Sequence, residues 1–120
     1  MIKRDWFKRQ IEILAQALGV VLGLKGKGDV QGSIAEIETA IQKAFGMSGK
    51  LALGFSLKDF LSLACRGDKP TPELLSTLAG LFQEWGTLLE TQGLSADAAS
   101  ALERAQDLLR LAESADAKSN

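Results

Sequence analysis

Apolar residues recur along this chain at intervals of three and four, the period of helices that each pack one face against a core. From Lys3 to about Leu24, Phe7, Ile11, Leu14, Leu18 and Val21 make one stripe, and Trp6, Ile13, Ala17, Val20 and Leu24 widen it. Only a narrow polar edge of Asp5, Lys8, Arg9, Glu12 and Gln16 is left, so this first helix is expected to be buried on most sides. Gly23, Gly26 and Gly28 end it. A second helix is predicted from about Val30 to Phe45, capped by Asp29 or by Ser33, which also stands in capping-box spacing to Glu36. Its seam is Ile34, Ile37, Ile41 and Ala44, and Gly46 closes it. Gly46 to Phe55 shows no period and reads as a glycine-punctuated loop or short turn.

A short third helix is predicted over about Leu57 to Cys65, with Ser56 as N-cap, Asp59 in its first turn and Phe55 placed to staple onto Phe60. Gly67 stops it. Thr71-Pro72-Glu73 supplies an N-cap, a first-position proline and an N-terminal carboxylate for a fourth helix that runs to about Gln92 and buries Leu75, Leu78, Phe82, Trp85 and Leu89. After Gly93, Ser95 caps a fifth, reaching about Ala115 on a seam of Ala98, Leu102, Ala105, Leu109 and Ala112, with residues 116–120 as a frayed tail. Composition agrees: Leu occurs 20 times and Ala 16 times, against 9 for Ile and Val together and no Tyr, a balance that favours helix over strand. The expected fold class is all-α, about five helices forming two hairpins that flank the short helix, in one domain over residues 1–115.

The two hairpins superpose in sequence when Gly28 is laid on Gly93, which pairs Ser33 with Ala98, Ile37 with Leu102 and Ala40 with Ala105. Gly86, before the second turn, is placed to let the following helix approach closely. Gly86, Leu89, Gly93, Ala98, Leu102 and Ala105 together resemble the tetratricopeptide (TPR) helical hairpin; Val21, Leu24, Gly28, Ser33, Ile37 and Ala40 meet half of that pattern. The opening Met1-Ile2-Lys3-Arg4-Asp5-Trp6-Phe7-Lys8-Arg9-Gln10-Ile11-Glu12 is similar to the start of an uncharacterised bacterial family of short helical proteins. Both resemblances imply an all-helical, TPR-like fold, and neither implies an activity.

Chemistry narrows the functional classes. There is no histidine, which removes the commonest general base and zinc ligand, and Cys65 is alone, so neither cofactor nor metal is expected. Arg66 beside Cys65 would lower its pKa, but a single thiol without histidine reads first as packing. Gly23 to Gly28 and Gly46 to Lys50 superficially suggest phosphate loops; neither follows a predicted strand, and Leu51 stands where magnesium coordination needs Ser or Thr. Glu36, Glu38, Glu84 and Glu90 fall on outward faces as solvated acids. The net charge of −1 offers nucleic acid no attraction, although the first 27 residues carry a net +4 and the rest −5. Asp5, Glu12 and Gln16 interrupt the resemblance of the N-terminal region to an export signal, and no run is long enough to span a bilayer, so a bacterial cytoplasm is the expected location.

What remains is a non-enzymatic interaction module. Two repeats are fewer than such stacks usually need, so the first helix is expected to cover its remaining face with a second copy, as a homodimer, or with another protein, through Trp6, Phe7, Arg9, Ile13, Val20 and Leu24. The basic cluster Lys3, Arg4, Lys8 and Arg9 around Trp6 and Phe7 also fits a helix lying on a membrane surface. A third class is an enzyme or small-ligand binder with a pocket using Cys65, Asp59 or Trp85. The absence of Lys and Arg between Glu73 and Gln92 argues against a grip on a peptide's C-terminal carboxylate.

Overall fold

A computed structural model describes residues 3–119, and the side chains of residues 5–115. Its described residues form six helices and no strand: α1 (Lys3–Gly26), α2 (Val30–Phe45), α3 (Gly49–Gly54), α4 (Leu57–Ala64), α5 (Pro72–Thr91) and α6 (Ser95–Ser119). Side-chain oxygens start four of them by accepting an otherwise orphaned amide: Asp29 from Gly32, Ser48 from Leu51, Ser56 from Asp59 and Thr71 from Leu74. Asp29, rather than Ser33, therefore caps α2; the Ser33 hydroxyl instead donates to the Asp29 carbonyl. Two boundaries differ from the sequence pattern. The stretch after Gly46 contains the extra helix α3, and α6 continues past Ala115 to Ser119; Asn120 lies outside the described residues.

α1 with α2 and α5 with α6 form two helical hairpins, and α5 is the hub, packed against α1, α2 and α6. The turns of the two hairpins are made the same way. In the first, Lys27 and Asp29 donate their amides to the Leu24 carbonyl and Gly28 to that of Lys25; in the second, Gln92 and Leu94 donate to Leu89 and Gly93 to Glu90. Each of these three bonds has its counterpart 65 residues further on, in keeping with the pairing of Gly28 with Gly93. Both glycines sit at positive φ, 77° and 79°, where a side chain is strained and the helix's last carbonyls are recovered by the returning chain.

The hairpins close to different degrees because their facing residues differ in size. A Cβ on Gly86 would lie 2.5 Å from Leu102 Cγ and 3.1 Å from the Leu102 backbone nitrogen, so the absent side chain is what allows α6 onto α5. The equivalent place on α1 is Val21, fully buried. One continuous core results, with Trp85, Phe60, Phe82, Leu14, Ile37 and Ile41 among its fully buried side chains. Through it runs a ladder of edge-to-face rings, Phe45 to Phe60 at 6.0 Å, Phe60 to Phe82 at 5.6 Å and Phe82 to Trp85 at 5.5 Å, which ties α2, α4 and α5 together. α1 is buried along a single stripe, not on most sides: Val20 and Leu22 remain 43% and 57% exposed. On α6 the buried stripe is rotated from the expected seam, since Leu109 is exposed and Ala101, Arg104 and Leu108 are inside.

Candidate functional site

The residues expected to form an interaction face on α1 do not stay together. Phe7 is buried in the core and faces no partner. Trp6 is half-buried, its ring edge-on to Phe7 at 5.3 Å and under the Arg66 guanidinium, whose carbon lies 5.2 Å from the ring centroid. Leu24 is half-buried at the first turn. Arg9 and Val20 are exposed and Ile13 half-exposed; Ile13 and Val20 lie on the flank of α1 that borders α2. Lys8 is exposed, whereas the side chains of Ile2, Lys3 and Arg4 lie outside the described residues. Arg66 is the partner of Trp6 that sequence spacing does not reveal, because it comes from the turn after α4, far along the chain.

The internal repeat explains why α1 is polar where α5 is not. Glu84, ion-paired with Lys25 at 3.0 Å, and Gly80, beside Leu18, mark the side of α5 that meets α1; Leu81 and Leu88 adjoin it by helical spacing, with Leu74 in the same heptad row. Sixty-five residues earlier those leucines become Arg9, Gln16 and Gly23, all exposed. A further hairpin stacked in the same sense would meet polar groups there. Along that row α1 is therefore polar where α5 is leucine-rich.

A half-open groove of about 680 Å³ lies elsewhere, between α2, α3, α5 and α6. Its apolar lining comes from Ile34 on α2, Leu53 on α3, Leu89 on α5 and Leu94 at the start of the last hairpin helix, half-exposed at 50%. Gln31, Gln92 and Ser100 add uncharged hydrogen-bonding groups, and the charged lining is Glu38 and Asp97 against Lys50. Trp85 contributes to the wall although it is 1% exposed; Gly49 lies against its ring, where a Cβ would come within 2.9 Å of two ring carbons.

Buried Arg104 fixes the α3 wall. Its guanidinium donates to the carbonyls of Ala52 and Phe55 at the C-terminal end of α3, and it also lies over the Phe60 and Phe82 rings, 5.4 and 5.8 Å from their centroids. Burial lowers its pKa, an effect that Asp107 and Glu103 partly offset, and a cation at a helix C-terminus complements the carbonyl dipoles it meets. Periodicity gives no sign of this residue, because an arginine one turn from a leucine seam reads as solvated. A second such tie is Gln10, buried on α1, whose side-chain amide donates to the Ala44 carbonyl in the last turn of α2.

Groups singled out for chemistry are scattered. Cys65 is 1% exposed, and its thiol is pushed up to about 11 by burial and then by Asp68, opposite to the effect expected of Arg66. Asp59 is exposed in the first turn of α4. Glu84 is engaged with Lys25, and among the described residues no three of His, Cys, Asp and Glu come together as a metal site would require. None of the described helices is long and apolar enough to cross a membrane. No family model, curated protein or solved structure matches the chain.

Proposed function

We propose that this domain is a non-enzymatic, TPR-like protein-interaction module that seats an extended segment of a partner protein in the groove between α2, α3, α5 and α6. The groove itself carries this reading. Its apolar floor suits side chains, and Gln31, Gln92 and Ser100 offer donors and acceptors to a peptide backbone, a need that an aliphatic slot alone would not meet. Two carboxylates against one lysine favour a segment bearing a basic residue over one presenting a C-terminal carboxylate. The α3, α5 and α6 walls are held by the Gly86 to Leu102 contact and by Arg104, so little ordering of them is required on binding.

Photo-cross-linking residues placed at Ala35 and at Ser100, inside the groove, are expected to trap the same protein in the native host, whereas one at exposed Ser76 on α5 traps none. Ser100→Arg abolishes the capture while leaving the helical circular dichroism unchanged. Equal capture from Ser76, or capture indifferent to Ser100→Arg, overturns the reading. A groove of about 680 Å³ also lies within the range of small-molecule sites, roughly 300–1,000 Å³, which supports a second reading as a ligand-binding domain. A Tm increase in a metabolite screen that Ser100→Arg removes would favour it.

A further inference from the structure

The flank between α1 and α2 has a pattern that complements itself. A shallow groove of about 160 Å³ runs there, floored by Ala17 and Ala40, bordered at its ends by Ile13 and Val20 on α1 and by Glu36 and Lys43 on α2, with Gln16 and Thr39 at its middle. The helices are antiparallel, with Gln10 bonded to the end of α2 at Ala44, so Ile13 and Lys43 mark one end of the groove and Val20 and Glu36 the other. Seven residues separate the members of each pair, about 10.5 Å along a helix axis. Neither Lys43 nor Glu36 forms an ion pair among the described residues, and Lys43 is exposed.

We infer that a second copy of this chain docks on this flank, related by a two-fold axis that lies in the plane of the contact and crosses both helices at the middle of the groove. Such an axis reverses the order of the pairs. It sets Lys43 of each protomer against Glu36 of the other and Ile13 against Val20, so both charges and both apolar residues find opposite numbers twice, which is the condition for an isologous contact. The alanine floor supplies the close approach. An isologous contact uses the same patch on both copies, so the assembly closes at two. A small patch with two symmetric ion pairs makes a transient dimer, sensitive to salt.

Sedimentation equilibrium of the whole chain from about 10 to about 500 μM, at low and high salt, tests this. A monomer–dimer equilibrium is expected, weakened by salt. Lys43→Glu and Glu36→Lys, each present twice in the dimer, raise Kd about tenfold or more, and Val20→Glu abolishes association. The chain carrying both charge reversals recovers dimerisation, because the swapped charges again oppose each other across the axis. A monomer throughout the range, an assembly larger than a dimer, or single reversals that the double reversal does not rescue would overturn the inference. The groove between α2, α3, α5 and α6 is not involved, so Ser100→Arg leaves this equilibrium unchanged.

Discussion

Cys65 shows how a side chain's surroundings decide between chemistry and packing. With its thiol raised from the usual 9.0 to about 11, the neutral form is the one the fold favours. Below about pH 9 folded and unfolded chains both hold the proton and burial contributes in full. Between 9 and 11 the unfolded thiol ionises while the folded one does not, and stability falls by up to about 1.4 kcal/mol per pH unit. Urea unfolding followed across that window should show this loss in the native chain and a shallower one in Cys65→Ala. The direction could not be read from the sequence, where Arg66 is adjacent and Asp68 three positions away. The fold turns Arg66 out over Trp6, at a left-handed φ of 53°, and leaves desolvation as the largest effect on the thiol.

Among the elements, glycines separate close contact from idle space. Gly86→Ala forces a methyl group into Leu102 and the α6 backbone, and should cost about 2 kcal/mol, with the loss read as a lower urea midpoint. Gly19→Ala, on the exposed side of α1 with nothing within 4 Å of the new Cβ, should instead raise stability by about 0.8 kcal/mol through helix propensity. Most element boundaries were legible, because Ser56, Thr71-Pro72, Gly28 and Gly93 act through bonds to their own neighbours in sequence. α3 was not. Six residues bounded by glycines have no period of their own; what holds them helical is the fit of Gly49 on Trp85 and the hold of Arg104 on Ala52 and Phe55, about fifty positions away. The same side chain accounts for the rotated stripe of α6, since α3 and the Phe60 ring cover Arg104 and so leave Leu109 outside.

At the scale of the molecule, the repeat was legible through the paired glycines and the small, large, small pairs that follow them, and the shared turn bonds give it a physical basis. The groove was not legible, because its walls come from four helices whose contributing residues look like ordinary outward positions, Gln31, Lys50 and Ser100 among them. Arg9 and Gln16 were legible as part of a polar edge of α1; that they repeat a leucine row of α5 follows only once the two hairpins are laid over each other. Exchanging Arg9 and Gln16 for leucine gives α1 part of the surface that α5 uses, and should produce open-ended assemblies that grow with concentration, visible by light scattering. A doubly substituted chain that stays no larger than the native one would show that the two hairpins do not stack by one repeated rule.

The two tryptophans stand in unlike settings, Trp85 sealed at the end of a ring ladder and Trp6 half-open beneath a guanidinium on the other hairpin. Intrinsic fluorescence is thus divided between a blue-shifted emitter and a redder, quencher-accessible one. With Trp6→Phe and Trp85→Phe each leaving a single emitter, spectroscopy can watch either half of the stack loosen on its own.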